Sequence, residues 1–194
     1  MIEKILDLDS YLFLFLNNLG SQYYDNFWIF LSRTEANVIV YLVILIAYIY
    51  SINNKKRTKI LFRLIITIAI LITISDQTSN LFKDSFQRLR PCYNELISDS
   101  LRLVKDSCGG RYGFFSAHAS NSFSLAIFFG LLLRSSNKLL ILLFAIYAFL
   151  ISYSRIYLGV HYPIDIIVGI IFGTINAIAL YKIYLYSFNF LNKS

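Results

Sequence analysis

Long runs of apolar residues constrain this chain more than any other feature, because each run is about as long as a bilayer is thick. A helix that crosses a membrane needs about 20 mostly apolar residues, with a range of roughly 17–25. Runs of this kind cover residues 36–52, 60–82, 117–133, 139–154 and 163–187. A sixth run, 5–19, is interrupted in its first turns by Asp7 and Asp9. The pattern predicts a bundle of about six transmembrane helices.

The composition supports a membrane protein and excludes two other classes of chain. Of the 194 residues, 57% are hydrophobic and 15% are charged, against roughly 25% charged residues in an average soluble domain. A soluble domain of this size keeps too much of its surface in water to hide so many apolar side chains. A disordered chain carries far fewer of them. We therefore expect a single all-α, membrane-embedded domain over residues 1–194.

The surplus of basic residues points to lipid headgroups and not to nucleic acid. The formal net charge is +7 at pH 7, but most Lys and Arg residues lie in short connections between apolar runs, where they meet anionic headgroups. Segment 20–35 carries Tyr23, Tyr24 and Trp28, and aromatic rings collect at membrane interfaces. Residues 1–35 are therefore expected to supply N-terminal and interfacial helices, with membrane lipids and no nucleic acid as partners.

The positions of the basic residues also predict the orientation of the chain. Two short connections are basic, and they contain Lys55, Lys56, Arg57, Lys59, Arg134 and Lys138. Short basic connections stay in the cytoplasm. This places segment 20–35, the outer-face loop 83–116 and the turn 155–162 together on the opposite face of the membrane. The loop 83–116 has several basic residues of its own, which opposes this orientation unless those residues have a function.

Clusters of polar residues fall on this predicted outer face, where ionisable groups are costly and are therefore candidates for function. Lys83 and Arg90 are two helical turns apart on one face, and Pro91 prevents the helix from continuing. Ser116 and His118 open the next apolar run, and the free N–H groups at the start of a helix suit a phosphate oxygen. Both clusters predict binding of an anion.

A third cluster holds Arg155, His161 and Asp165. Each cluster also has a structural interpretation: the cations as headgroup anchors, Ser116 as an N-cap, His118 as an interface histidine, and His161 with Asp165 as a pair at the start of the last helix. These interpretations do not explain why both histidines of the chain, the cations, the hydroxyl and the carboxylate share one face. We therefore favour an anion-binding site with acid–base capacity.

The order and spacing of these residues resemble a known family. Lys-x6-Arg-Pro, then Ser-x-His, then Ser-Arg-x5-His-x3-Asp, between Lys83 and Asp165, is similar to the three-part signature of the type 2 phosphatidic acid phosphatase superfamily. The wording around the motifs resembles bacterial members of the undecaprenyl-diphosphatase type. The second motif usually reads Pro-Ser-Gly-His, and here Phe115 and Ala117 replace the Pro and the Gly. This departure leaves the shape of the substrate open.

The resemblance implies a metal-independent phosphatase without a cofactor. It implies that His161 attacks phosphorus to form a phosphohistidine, that Asp165 orients its ring, and that His118 protonates the departing lipid oxygen and then activates water. The residues that the resemblance assigns to the phosphoryl oxygens are Lys83, Arg90, Ser116, Ala117 and Arg155. With only two histidines and no Cys-x-x-Cys pair, the sequence also argues against a zinc site.

The first-choice substrate is undecaprenyl diphosphate, with a phosphatidylglycerophosphate phosphatase or a lipid A phosphatase as the alternative within the same class. From another class, the same cations could serve an anion transporter or a phosphate sensor. Transporters often have inverted repeats and a binding site near the bilayer midplane, whereas this chain has no repeat and its polar clusters lie at one face. An envelope protein with a purely structural role is a third interpretation. A lipid phosphatase is favoured.

Two further groups of residues carry weaker signals. Cys92 and Cys108 are the only cysteines, and both lie in the outer-face loop, where an oxidising compartment permits a disulfide; we hypothesise that they pair. Asp76, Gln77 and Asn80 precede Lys83 on the same run. They either support Lys83 or Arg155 by hydrogen bonding, or pack between helices as polar contacts, and the sequence does not separate the two.

Overall fold

The computed structural model of the protein describes residues 2–52, 57–105, 107–134 and 139–192, and this part of the chain is almost entirely helical. Its helices are α1 (Ile2–Asn18), α2 (Asp25–Leu31), α3 (Thr34–Ser51), α4 (Arg57–Phe86), α5 (Ala117–Leu133), α6 (Leu139–Tyr157) and α7 (Pro163–Asn192). Short 3-10 turns occur at Gln22–Tyr24 and Pro91–Tyr93. The predicted all-α class is confirmed.

Four of the helices, α3, α4, α6 and α7, are long and apolar enough to cross a membrane, and α5 is a shorter apolar helix. The predicted runs match these helices closely, although α4 begins at Arg57 and continues to Phe86, beyond the predicted run 60–82. The protein is an integral membrane protein, as predicted. Of the basic residues used to orient the chain, Lys55, Lys56 and Lys138 lie outside the described residues.

Helix α5 packs against α4, α6 and α7 through small and hydroxyl-bearing residues. Ser124 Oγ lies 3.1 Å from Ser75 Oγ of α4, and it donates to the Gly173 carbonyl of α7 over 2.9 Å. Gly169 and Gly173 are one helical turn apart on α7, and both backbones approach α5 so closely that a Cβ atom would meet Ser116 or Ser120. Small residues with this spacing are typical of close helix crossings in membranes. The crossing fixes the starts of α5 and α7 relative to each other.

Helix α1 packs against the connection between α6 and α7 at one end of the bundle. Asn17 Nδ2 donates to the carbonyls of Ile156 and Tyr157 over 3.0 Å each, and Phe13 packs edge-on against Tyr162. Segment 20–35, predicted as interfacial, forms a 3-10 turn and α2. The Trp28 ring of α2 stacks on Tyr157 with the ring centroids 5.2 Å apart. The N-terminal helices therefore lie beside the turn that contains His161.

Candidate active site

The residues predicted for the anion site lie at one end of the bundle, close to helix ends or in the adjacent connections. Lys83 is in the last turn of α4 and Arg155 in the last turn of α6, whereas Asp165 is in the first turn of α7. His118 is in the first turn of α5, and His161 lies in the turn between α6 and α7. The helices thus bring together residues that are as many as 82 positions apart in the sequence.

A buried histidine–carboxylate pair forms the centre of the site. His161 Nδ1 lies 3.3 Å from Asp165 Oδ2, and the Tyr162 N–H donates to the same oxygen over 3.0 Å. The two side chains are 3% and 0% exposed. Gly113 packs against the pair, because a Cβ atom there would stand 3.3 Å from Asp165 Oδ2 and 3.5 Å from His161 Nδ1. The Asp165 carboxylate therefore holds Nδ1 of His161, and the backbone of Gly113 packs directly against the pair.

The predicted cations surround His161. Burial, and then the positive charges of Arg90, Arg155 and Lys83, lower the pKa of His161 well below its ordinary value. A hydrogen bond to the Gly113 backbone acts in the opposite direction but has a smaller effect. The imidazole is therefore neutral at neutral pH, which is the protonation state that a nucleophile requires.

Two of the cations are held in place by partners that leave donors available. Arg90 donates from Nη1 to the Cys108 carbonyl over 2.5 Å and from Nε to the Tyr112 carbonyl over 3.2 Å. Arg155 is buried and donates to Ser32 Oγ of α2. Its Nε is buried and has no hydrogen-bond partner among the described residues. A buried donor of this kind suits an anionic acceptor.

The second motif differs from the usual family pattern at the two residues that flank Ser116, Phe115 and Ala117. Ser116 is fully buried and its Oγ accepts from the Ala119 N–H over 3.4 Å, so the side chain caps α5. The Ser116 N–H donates to the Asp165 carbonyl over 3.1 Å, which joins the starts of α5 and α7. Phe115, in place of the usual Pro, is buried and stacks on Phe172 with centroids 4.8 Å apart. Its role here is packing.

His118 opens onto a cavity of about 630 Å³ between α3, α4 and α5. Most of the wall is apolar, with side chains that include Tyr41, Leu45, Ile68, Leu125 and Phe129. Asp76 and Asn121 also line it, and Asn121 Nδ2 donates to Asp76 Oδ1 over 2.8 Å. Asp76 therefore joins α4 to α5 in the manner of a polar contact between helices, one of the two interpretations given for it above.

Sequence reasoning missed two charged residues next to the central pair, of which Arg88 contacts Asp165 directly and Asp9 contacts Arg88. Arg88 Nη1 donates to Asp165 Oδ1 over 2.8 Å, and Arg88 Nη2 donates to Asp9 Oδ2 over 2.5 Å. Arg88 lies inside the first motif, two residues before Arg90, so its position was a usable signal. Asp9 was noticed only as an interruption of the first apolar run. Nothing in the local sequence indicates that it reaches residues 79 and 155 positions away.

The structure joins Cys92 and Cys108 as a disulfide, with their Cα atoms 6.4 Å apart. The bridge lies next to the site, because the Cys108 carbonyl accepts the hydrogen bond from Arg90 Nη1. Across residues 2–52, 57–105, 107–134 and 139–192, no group of three or more His, Cys, Asp or Glu side chains is arranged to hold a metal ion.

Comparison with known proteins shows the family. The model of the PAP2 superfamily matches residues 68–189. The chain is 36% identical to the lipid A 4'-phosphatase of Porphyromonas gingivalis over 187 residues, which cover 96% of this chain and 77% of that protein. It is 35% identical to the lipid A 4'-phosphatase of Bacteroides thetaiotaomicron over 175 residues, covering 89% and 75% of the two chains.

Solved structures agree with this relationship. The crystal structure of LpxE from Aquifex aeolicus superposes with a TM-score of 0.66 at 26% identity and covers 88% of this chain and 93% of that one. A PAP2-type phosphatidylglycerolphosphate phosphatase from Bacillus subtilis superposes with a TM-score of 0.69 at 13% identity, covering 91% and 84%; this second likeness concerns the fold alone. The predicted enzyme class, a membrane lipid phosphatase, is confirmed. The chain belongs to the PAP2 superfamily.

Proposed function

We propose that the protein removes a phosphate group from a lipid A-type phosphoglycolipid through a phosphohistidine intermediate. The observation that carries this proposal is the buried His161–Asp165 pair, which is surrounded by three cations. His118, the second histidine of the site, lines an apolar cavity. Asp165 holds Nδ1 of the His161 ring, so Nε2 is the nitrogen that attacks phosphorus.

In the first step, Nε2 of His161 forms a bond to phosphorus while the bond between phosphorus and the lipid oxygen breaks. His118 gives its proton to that oxygen, so that the lipid leaves as an alcohol. In the second step, His118 takes a proton from water as the water oxygen attacks phosphorus. The phosphorus–nitrogen bond then breaks, and inorganic phosphate and a neutral His161 are regenerated. The carboxylate of Asp165 stabilises the positive ring that exists between the two steps.

The phosphoryl oxygens are bound by Lys83, Arg90 and Arg155. Phosphoryl transfer depends mainly on positioning and on charge stabilisation, and three fixed cations supply both without a metal ion. Arg155 Nε is a buried donor without a partner among the described residues, so it is available to donate to a phosphoryl oxygen. Ser116 acts through the start of α5 that it caps, where the N–H groups near Ala117 add partial positive charge.

The two bacterial relatives favour lipid A over undecaprenyl diphosphate, which the sequence placed first. Both are lipid A 4'-phosphatases and each aligns with most of this chain. The cavity beside His118 is large and apolar enough to hold part of an acyl chain. A lipid bound in this way would have its leaving oxygen next to His118. We place the active site on the periplasmic face of a bacterial inner membrane, because a disulfide lies in the loop beside it and disulfides persist in oxidising compartments.

Phosphate release by the purified protein in detergent, with EDTA present, tests this proposal. Lipid A, undecaprenyl diphosphate and phosphatidylglycerophosphate are compared as substrates. We expect the fastest release from lipid A, undiminished by EDTA and absent in His161→Ala. The matched control is Arg111→Gln, which removes an exposed cation of the same loop and should keep full activity.

Each other outcome contradicts a separate part of the proposal. Faster release from undecaprenyl diphosphate would return the substrate to our first choice. Loss of activity with EDTA that added divalent metal restores would remove the metal-free mechanism. Tight binding of these lipids without turnover, equal in the wild type and in His161→Ala, would favour the transporter or sensor.

A further inference from the structure

Beyond the pair of His161 and Asp165, the site continues into a line of charged groups that ends in the N-terminal helix. The Arg88 guanidinium donates with one nitrogen to Asp165 Oδ1 and with the other to Asp9 Oδ2, over 2.8 and 2.5 Å. The two carboxylates are 0% and 1% exposed, and Arg88 is 19% exposed. Buried carboxylates are costly unless they are paired, so this arrangement requires a reason.

Arg88 is not free to bind substrate. Its guanidinium carbon lies 4.0 Å from the centroid of the Tyr162 ring, and two of its nitrogens are used by the carboxylates. The Tyr162 hydroxyl accepts from Asn94 Nδ2 over 3.0 Å, which holds the ring in place. Arg88 is therefore fixed from three directions, whereas Arg155 Nε is buried and has no hydrogen-bond partner in the described part of the chain.

Asp9 is fixed in the same way at the other end of the line. Its Oδ1 accepts from the Ile164 N–H over 2.9 Å. That N–H belongs to the first turn of α7, where backbone donors have no partner within the helix. A carboxylate from α1 thus caps the helix that carries Asp165, and it also holds the arginine that contacts Asp165.

We propose that Asp9 and Arg88 are positioning residues, which orient the Asp165 carboxylate so that its second oxygen faces Nδ1 of His161. Both oxygens of Asp165 are then committed, Oδ1 to Arg88 and Oδ2 to His161 and the Tyr162 N–H. Without Arg88 the carboxylate loses one of the contacts that set its rotation. Without Asp9, Arg88 loses its anchor. Neither residue touches the phosphoryl group.

The line also gives α1 a function in the site. Asp9 lies outside residues 68–189, which match the family model, and yet it is one side chain removed from the carboxylate that orients the nucleophile. This inference rests on the proposed roles of His161 and Asp165. It adds a requirement for a helix that the three motifs do not include.

Steady-state kinetics on four variants test the inference: Asp9→Asn, Arg88→Gln, Arg88→Lys and the double variant Asp9→Asn/Arg88→Gln. We expect each single change to lower kcat by about 10–100-fold, as for other residues that orient a reacting side chain through a hydrogen bond, with KM unchanged. Arg88→Lys should recover only part of kcat, because one ammonium group does not span two carboxylates as the planar fork does. The double variant should cost no more than Arg88→Gln alone, because residues acting in one line are not additive.

Matched controls separate positioning from folding. Asp7→Asn changes an exposed acid two residues from Asp9 on the same helix, and Arg111→Gln changes an exposed arginine of the loop after α4; both should keep the wild-type kcat. An unchanged kcat in Asp9→Asn and Arg88→Gln would overturn the inference. So would losses that multiply in the double variant, or a loss matched by an equal fall in the amount of folded protein.

A second readout does not depend on turnover, so a failure of the proposed function stays distinguishable. The chain has two histidines, and 15N labelling of histidine reports which ring nitrogen carries the proton. In the wild type we expect His161 to carry it on Nδ1, and in Asp9→Asn and Arg88→Gln we expect a mixture of the two tautomers. Unchanged His161 signals in both variants would overturn the inference, whether or not the wild type hydrolyses any lipid phosphate offered.

Discussion

Gly169 of α7 lies so close to Ser116, the N-cap of α5, that a Cβ atom on the glycine would stand 2.7 Å from the Ser116 carbonyl oxygen. The Ser116 N–H in turn donates to the carbonyl of Asp165, one turn before Gly169. The distance between the two helices therefore determines the distance between the second and third motifs. The geometry of the phosphate site depends on a residue that has no side chain.

Replacement of Gly169 by alanine should separate the starts of α5 and α7. Overpacking of this kind costs about 1–3 kcal/mol, and we expect a lower thermal midpoint together with a loss of phosphatase activity. Gly110→Ala is the control, because a Cβ atom there would have no neighbour within 4 Å among the residues that the structure describes. Thermal unfolding in detergent and phosphate release measure both effects. Equal behaviour of the two variants would contradict the prediction.

The role of His118 predicts a dependence on the leaving group. For a lipid alcohol, which needs a proton to depart, His118→Ala should lower kcat by about 10²–10⁴-fold. With p-nitrophenyl phosphate the leaving group needs no proton, so the first step should survive and the second should be slow. We expect a burst of p-nitrophenolate followed by slow turnover, with phosphate trapped on His161. Equal losses on both substrates, without a burst, would remove His118 from the first step.

The lowered pKa of His161 predicts the acid limb of the pH profile. Because burial and three cations favour the neutral ring, kcat/KM should persist below pH of about 6.5, the ordinary pKa of histidine. Activity should fall when the pH drops through the lowered value. Arg90→Gln removes one of these charges and should move the limb to higher pH. The ionisation of the substrate is the same for both proteins, so a shift between the profiles reports on the enzyme; coinciding limbs would contradict the prediction.

Opening the Cys92–Cys108 disulfide should weaken both stability and phosphate binding. The bridge spans 16 positions, and on the chain-entropy model a loop of that size contributes about 3 kcal/mol. The Cys108 carbonyl holds Arg90 Nη1, so KM should rise when the loop is released. The double variant Cys92→Ser/Cys108→Ser is compared with wild type in thermal unfolding and kinetics, each with and without reductant. A reductant effect that persists in the double variant would show that it arises elsewhere.

Filling the cavity beside His118 should discriminate between lipid and soluble substrates. Leu45 is buried and lines the cavity, so Leu45→Trp should lower kcat/KM for lipid A while hydrolysis of p-nitrophenyl phosphate continues. Val43 is 60% exposed on the same helix, and Val43→Trp is the matched control. Equal losses on both substrates would mean that the substitution disturbs the site itself and that the cavity does not hold the lipid.

The helices were predictable because the bilayer sets their length. The runs at 117–133 and 163–187 coincide with α5 and with the described apolar part of α7. The ends were less accurate where polar residues continue a helix, as in α4, which extends past Phe82 to Phe86 with Lys83 in its last turn. Hydropathy detects the apolar interior of a span and not the turns that emerge from it.

The site was predictable only where spacing carries information. Lys83 and Arg90 lie near one another in the sequence, as do His161 and Asp165, and the spacing of the motifs predicted that they lie close together. The prediction that Lys83 and Arg90 share one helical face was wrong, because α4 ends at Phe86 and Arg90 lies in the connection after it. His161 likewise precedes α7, which begins at Pro163. Contacts such as Asp9 with Arg88 depend on how distant helices pack against each other. A single sequence holds no local signal for such pairs. Which nitrogens of a buried arginine have hydrogen-bond partners can be read only from the folded structure.

The stack of Trp28 on Tyr157 provides an intrinsic fluorescence signal close to the site. Trp28 is the single tryptophan of the chain, and its ring contacts Tyr153 and Tyr157 on either side of Arg155 in the sequence. Its emission therefore reports on the contact between α2 and the C-terminal end of α6. A lipid phosphate that binds Arg155 changes the surroundings of Trp28. Binding to the site can therefore be followed by titrating the lipid and recording tryptophan fluorescence, without a label.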